Sequence, residues 1–174
     1  NEIVRRINSQ AGADVLVEAE AMIPRVGRLP GVDGRAKMSK SQGNAIALSA
    51  TPEEIRTAVR RMYTDPNHLR PSHPGSVEGN AVFTYLDAFD PDGDAVAELK
   101  RHYRRGGLGD VLVKQRLEAV LLDLLAPIRE RRAAFACDTT YILDVLRART
   151  RRARAVTDRT LQEVRSGLGL FRLA

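Results

Sequence analysis

At 174 residues the chain has room for one moderate domain or two small ones. It holds 28 basic and 22 acidic residues, a formal net charge of +6, and its 43% apolar share supplies a core and excludes long disorder. No stretch approaches the roughly 18 uninterrupted apolar residues of a membrane span, since the richest, Ala119 to Ile128, is cut by Asp123 and Pro127. The chain therefore reads as folded and soluble, with no membrane partner. A single cysteine, Cys137, excludes an internal disulfide and any multi-cysteine metal site, and fits a cytoplasmic location. The opening Asn1-Glu2-Ile3-Val4-Arg5-Arg6 has neither an initiator Met nor a charged-then-apolar leader, so the chain is expected to be a fragment of a longer, non-secreted product.

Residues 2–10 place Ile3, Val4 and Ile7 on one side of a helix, and the β-branched run Ala13 to Val17 predicts a short strand after it. From Ile23 to Asn44 the periodicity vanishes and Pro24, Gly27, Pro30, Gly31, Gly34 and Gly43 punctuate a loop too long for a plain connector. Thr51-Pro52-Glu53-Glu54 supplies a cap, a proline at the first helical position and a reciprocal glutamate; Ile55, Ala58, Val59 and Met62 then repeat at helical spacing. A second polar loop runs through Pro66, Pro71, Pro74, Gly75 and Gly79. Asn80 caps a short aromatic helix through Phe83, Tyr85 and Phe89 that stops near Pro91. Asp94 to Tyr103 predicts another helix, ended by Gly106-Gly107. The longest helical candidate starts near Asp110, with Val113, Leu117, Val120, Leu121, Leu124 and Ile128 on one face and Leu112, Leu122 and Leu125 widening the stripe; a central bundle helix kinked or divided at Pro127 is expected. Two amphipathic segments at 138–149 and 151–166 and a glycine-marked tail, Gly167 to Ala174, complete the chain. The expected fold class is mainly α, a helical body preceded by a small α/β remnant.

The sharpest feature is Lys37-Met38-Ser39-Lys40-Ser41, set between Gly34 and Gly43 in the long loop. Two ammonium groups three residues apart, two hydroxyls and a glycine-softened backbone suit a mobile clamp for phosphate oxygens. Composition alone reads the same residues as a solvated lysine-serine loop. Their order is more specific: with ~20 residues used equally, a given pentapeptide arises by chance about once in twenty thousand chains of this length.

That pentapeptide resembles the second signature loop of class I aminoacyl-tRNA synthetases, the loop that binds ATP and stabilises the leaving pyrophosphate. The flank Arg28-Leu29-Pro30-Gly31-Val32-Asp33-Gly34-Arg35-Ala36, then Met62-Tyr63-Thr64-Asp65-Pro66 and Tyr85-Leu86-Asp87-Ala88-Phe89, are similar to the tryptophanyl-tRNA synthetase branch of that family. So are Gly106-Gly107-Leu108-Gly109-Asp110 and Ala126-Pro127-Ile128-Arg129-Glu130-Arg131-Arg132. The resemblance covers essentially the whole chain. It implies that residues 1–48 are the C-terminal remnant of a Rossmann-type nucleotide-binding catalytic domain and that 49–174 form a helical, anticodon-binding bundle. It also implies that Lys37 and Lys40 contact the ATP phosphates as catalytic cations, that Ser39 and Ser41 supply hydroxyl or backbone donors, and that Met38 packs and anchors the loop. Expected partners are tryptophan, ATP with Mg2+ as a substrate, tRNA(Trp) and a second copy in a homodimer. The first class I signature, His-Ile-Gly-His or a variant, is absent, as is the Gly-x-Asp-Gln segment that in this family precedes a helix resembling residues 1–10; the fragment alone is expected to be inactive. Tyrosine is the competing substrate, and a non-catalytic RNA-binding or regulatory paralogue is the competing role.

Arg147, Arg149, Arg151, Arg152, Arg154, Arg159 and Arg165 crowd the last helical segments, with Arg129, Arg131 and Arg132 nearby in sequence. Clustered arginines attract nucleic-acid phosphates, and Arg151, Arg152 and Arg154 are the candidates for tRNA binding. The alternative is a solvated face balanced by Asp138, Asp144, Asp158 and Glu163. His68, His73 and His102 are too scattered for metal ligation and read as loop and surface residues. Cys137 reads as a packed or idle thiol, Phe83, Tyr85 and Phe89 as core, and Asp87 and Asp90 as caps or solvated groups and not an acid–base pair.

Overall fold

The computed structural model describes residues 1–35 and 37–170. Ala36 of the signature's flank and residues 171–174 of the glycine-marked tail lie outside the described residues. The described residues form α1 (Glu2–Ala11), a 3-10 turn (Lys40–Gln42), α2 (Pro52–Arg61), α3 (Ala81–Phe89), α4 (Gly93–Arg105), α5 (Asp110–Ala136) and α6 (Thr139–Gly167), with no strand among them. No helix among the described residues is long and apolar enough to cross a membrane. By contacts the chain divides into two compact units, Ile23–Ala134 and a second made of Asn1–Met22 with Phe135–Ala174.

The unit Ile23–Ala134 owns the core. Thr51 begins α2 with the capping box its sequence predicts: the Glu54 N–H donates to Thr51 Oγ1 at 3.2 Å and the Thr51 N–H to Glu54 Oε2 at 2.7 Å. Such a cap is worth about 1 kcal/mol, and it directs Ile55, Val59 and Met62 inward, where all are buried. Asn80 caps α3 through its Oδ1 and the Val82 N–H, 3.1 Å away. Phe83 and Tyr85 of α3 are buried as expected, as is Leu86, and Phe89 packs against the core. Phe83 meets Tyr103 of α4 edge-on with ring centroids 5.1 Å apart. On α5 the buried stripe is narrower than expected: Val113, Leu117, Leu121 and Leu125 line the core at one-turn spacing, while Leu112 and Leu124 are exposed. A single helix buries only the stripe its neighbours cover, and the i, i+4 row is that stripe here. Pro127 does not divide α5. Both Pro127 and Asp123, one turn earlier, are exposed, so the turn that loses a hydrogen bond lies where solvent reaches it.

In the other unit, the strand expected at 13–17 does not form. A strand needs a neighbour to complete its hydrogen bonds, and here side chains do that work: Asn8 bonds both the N–H and the carbonyl of Leu16, at 3.0 and 2.8 Å, and Asn1 bonds both groups of Ala19 at 2.8 Å. Arg5 grips Glu18 with two hydrogen bonds of 2.8 and 2.7 Å. The segments expected at 138–149 and 151–166 are one helix, α6, which at 29 residues also exceeds the 27 of α5. Nothing between Arg147 and Arg154 is a glycine or proline, so no residue there breaks the hydrogen-bond ladder. Asp138 caps it by accepting from the Tyr141 N–H at 2.8 Å, and Gly167 near its end lies against Ala11 of α1, where an added Cβ would come within 2.8 Å of the alanine's own.

Candidate functional site: the signature loop

The loop that carries Lys37 to Ser41 is irregular in backbone but closely tied. Its keystone is Asn44, which is 2% exposed. The Asn44 side-chain amide donates to Asp33 Oδ1 and to the Lys37 carbonyl, both at 3.0 Å, while its Oδ1 accepts the Ser39 N–H at 2.8 Å. On the main chain, the Val32 N–H donates to the Asn44 carbonyl at 2.9 Å and the Gly31 N–H to the Arg35 carbonyl at 2.8 Å. The two ends of the loop thus close on each other around one buried amide. Gly31 has to be glycine for that closure, because a Cβ there would lie 2.3 Å from the Asn44 amide nitrogen. Gly34 combines a φ of +79° with the Tyr63 ring, whose carbons would lie 2.7 Å from an added Cβ.

Asp33 has a balance of effects. Desolvation pushes its carboxyl up, but hydrogen bonds from the Arg35 N–H and the Asn44 amide, with the Arg35 charge, outweigh it and hold the group below the usual carboxylate range. It therefore stays ionised as an acceptor for the loop. The loop in turn rests on the core: the Tyr63 N–H donates to the Val32 carbonyl at 2.8 Å, and Leu29, Val32, Met38 and Ile46 pack against the buried cluster. The Tyr85 hydroxyl donates to the Pro30 carbonyl at 2.9 Å, and burial pushes that phenol up to about 12.

Against this fixed backbone the functional groups of the signature are open. Lys37 and Lys40 are exposed, and among the described residues neither side chain makes an ion pair or hydrogen bond. Met38 is half-buried on the core, and Lys40 to Gln42 form the 3-10 turn. The Ser39 and Ser41 hydroxyls lie 2.7 Å apart. Because Asn44 takes the Ser39 N–H, Ser39 has its hydroxyl and not its backbone donor to offer a ligand. Chemically this is a pair of unsatisfied cations and two hydroxyls held on a pre-shaped loop, an arrangement whose donors suit phosphate oxygens. Asn44 carries the loop without having stood out in the sequence, whereas Asp33 and Tyr63 lie in the flanks that resemble the family but have no loop-holding role there. The signal of Asn44 is weak in the sequence, since a lone amide after Gly43 is ordinary loop composition.

The remaining candidates fall elsewhere. Arg151, Arg152 and Arg154 are exposed on α6, in the other unit. Of the seven α6 arginines only Arg147 pairs with an acidic residue among the described residues, with Asp144 at 3.2 Å, so the acids of that segment do little to balance its charge by pairing. Asp90 is the C-cap residue of α3, as the capping reading has it, and Asp87 and Asp90 are also halves of two separate ion pairs. Lys100 reaches Asp87 at 2.5 Å, and Arg116 grips the fully buried carboxylate of Asp90 at 2.7 Å. Those bonds from Arg116 hold Asp90 below the ordinary carboxylate value against the opposing effect of its desolvation. His68 is not a surface residue. Its ring packs 4.5 Å from that of Tyr103, its Nδ1 lies 3.3 Å from Asp110 Oδ1, and Tyr103 and Thr64 hydroxyls donate to the same carboxylate at 2.6 and 3.1 Å. Cys137 is exposed just beyond α5. Among the described residues no three His, Cys, Asp or Glu side chains come together to hold a metal ion.

Comparison with known proteins gives this geometry its setting. Over residues 1–126 the chain matches the family model of tRNA synthetases class I (W and Y). It is 51% identical to the tryptophan–tRNA ligase of Clostridium longisporum over 171 residues and 48% identical to that of Lactococcus lactis over 174, in each case across 97% of this chain. These stretches are 50% and 51% of the two relatives, so the chain spans about half the length of the curated relatives it matches. The fold is also that of the tryptophanyl-tRNA synthetase of Campylobacter jejuni solved with ADP and tryptophan, at a TM-score of 0.68 and 23% identity over 97% of this chain and 52% of that one. With most of its length inside the family model, the chain belongs to the class I tRNA synthetases (W and Y).

Proposed function

We propose that this chain is the C-terminal part of a tryptophan–tRNA ligase and that its loop at 37–41 binds the phosphates of ATP. The observation that carries the reading is the pair of exposed, unpaired ammonium groups of Lys37 and Lys40 on a loop whose backbone is closed around Asn44. In the proposed reaction a tryptophan carboxylate oxygen attacks the α-phosphorus of ATP, the bond to the β-phosphate breaks, and tryptophanyl-adenylate and pyrophosphate form. A ribose hydroxyl at the end of tRNA(Trp) then attacks the adenylate's carbonyl carbon, and AMP leaves. Negative charge grows on the departing pyrophosphate, so cations placed there stabilise the transition state more than the ground state. Lys37 and Lys40 supply that charge, the Ser39 and Ser41 hydroxyls bond phosphate oxygens, and Met38 keeps the loop seated. Closure of the loop over ATP, moving as one body tied around Asn44, gates the step. Mg2+ arrives with ATP as part of the substrate, held by its phosphates.

In this reading residues 1–48 complete the nucleotide-binding catalytic domain, and 49–174 form the anticodon-binding part, where Arg151, Arg152 and Arg154 meet tRNA phosphates. The working enzyme is a cytoplasmic homodimer. The chain carries the second class I signature and lacks the first, so activation belongs to a polypeptide that supplies both, and this chain alone is inactive. Support for tryptophan over tyrosine comes from the relatives, which are tryptophan–tRNA ligases; the family model itself spans both amino acids.

The test is ATP–pyrophosphate exchange by the full-length protein that carries this chain, with tryptophan and tyrosine supplied separately. Exchange with tryptophan is expected. Exchange with tyrosine alone would keep the reaction and overturn the specificity, and none from a folded protein would move the assignment to an RNA-binding paralogue.

A further inference from the structure

An open cleft of about 620 Å³ lies beside the signature loop, lined by Lys40 and Gly43, by the segment 45–49, and by Ile128 and Arg132 of α5. The sequence groups Arg132 with Arg129 and Arg131 as part of a diffuse basic region, but the fold gives the three different situations. Arg129 is half-buried and its guanidinium points at the Ala50 carbonyl, 3.5 Å away. Arg131 is exposed and does not line the cleft. Arg132 sits one turn beyond Ile128 on the same helical row, is exposed, and makes no ion pair or side-chain hydrogen bond among the described residues. Every charged side chain that lines the cleft is a cation: Lys40 from the loop and Arg132 from the helix. Ala45, Ala47 and Gly43 keep it open by being small, and Ile46, Leu48 and Ile128 give it apolar walls that strengthen a charge interaction made beside them.

We propose that Arg132 is a further phosphate-binding residue of the reaction, a cation on α5 that shares with Lys40 the terminal phosphates of ATP and then the departing pyrophosphate. This deepens the function proposed above and rests on it. A guanidinium suits the task because its planar fork meets two oxygens of one phosphate at once, whereas the lysines act as point charges. The placement also ties the loop to the helical body: a polyphosphate held between Lys40 and Arg132 draws the signature loop toward α5. A strand of RNA is the less favoured occupant, since the cleft is short and its two cations flank a single cavity.

The experiment compares the full-length protein with Arg132→Gln, Arg132→Lys and, as a control of equal charge change, Arg101→Ala on α4, whose guanidinium is paired with Glu98. Titration calorimetry with inorganic pyrophosphate and with tRNA, and pyrophosphate exchange at varied ATP, are measured for each. We expect Arg132→Gln to weaken pyrophosphate binding by about tenfold and raise the KM for ATP, as loss of one charge-assisted contact does. Arg132→Lys should recover part of the loss, and Arg101→Ala should match wild type. Unchanged pyrophosphate affinity in Arg132→Gln overturns the proposal, in favour of an RNA contact if tRNA affinity falls and of a solvated arginine if it does not. If wild type exchanges with neither amino acid, the proposed function fails, and the pyrophosphate titration still decides the role of Arg132. Because Arg132 is exposed, its variants should keep the wild-type thermal midpoint; if Arg132→Gln lowers it, Arg132→Lys alone decides, and wild-type affinity there with wild-type KM overturns the proposal.

Discussion

The signature loop and helix α6 both present unpaired cations, yet they hold them by opposite means. Between Gly31 and Asn44 a backbone with only one turn of regular structure is closed by hydrogen bonds to a buried amide, and its lysines project from a fixed frame. Helix α6 has no buried residue in its 29 and spaces its arginines along regular backbone. The difference suits the two anions proposed for them. A transferring phosphate needs donors within a fraction of an ångström of one geometry, so the chain invests a buried network in the loop. An RNA backbone is long and repetitive, and a helix with charge spread along it suffices.

The largest effect should come from the loop's own cations. Lys40→Ala is expected to lower the single-turnover rate of tryptophan activation by about ten- to a thousandfold, the range seen when one charge-stabilising donor is lost. An unchanged rate in the intact enzyme would place the loop on a level with α6, as a solvated charged surface. Next comes the frame beneath it. Asn44→Ala leaves the Ser39 N–H and the Lys37 carbonyl without their partner, which should cost about 2 kcal/mol in denaturant unfolding and slow activation with Lys37 and Lys40 still present. If activation is untouched, the buried network is not what orders the site.

Acid tests the body on which the loop rests. Arg116 holds the Asp90 carboxyl below its ordinary value, so its folded pKa lies under the unfolded one. The stability it confers is complete above the unfolded value near pH 4 and is lost as pH falls through the lower, folded one. Arg116→Ala should remove this acid-dependent share, about 1–2 kcal/mol after allowing for the partly exposed arginine. An identical fall in the thermal midpoint of wild type and variant below pH 4 would show that the pair contributes nothing. The smallest stability effect should be on α6. Arg151→Ala with Arg154→Ala should change unfolding by less than about 0.5 kcal/mol per site while flattening the salt dependence of tRNA binding by about two logarithmic units of slope. A large loss of stability, or an unchanged slope, would break the contrast from that side.

How much of this is legible in the sequence depends on the range of the interaction. The capping box at Thr51 and Glu54, the Asn80 cap, the aromatic face of α3 and the stop at Gly106 are all written in residues within a few positions of each other. The same is true of Lys37 to Ser41, whose residue types suit phosphate and whose order carries the family resemblance. Where the structure departs from the sequence pattern, the causes differ. Ala13 to Val17 has the composition of a strand, but no strand lies beside it among the described residues, and the amides of Asn1 and Asn8 complete its hydrogen bonds instead. The break expected near Thr150 had no breaker residue behind it, and so α6 runs on.

By itself, then, the sequence determined most of the helices, the caps at Thr51 and Asn80, the family and the pentapeptide proposed to meet phosphate, because propensity, capping and motif order act over a few residues. Only the tertiary structure decided that Asn44 closes the loop, that His68 is buried between Tyr103 and Asp110, that Asp87 and Asp90 take different cations, and that Arg132, apart from its neighbours, shares a cleft with Lys40. Each of those depends on partners from 5 to 92 positions away, and which side chain a fold brings within 3 Å of another is a property of packing, not of spacing along the chain.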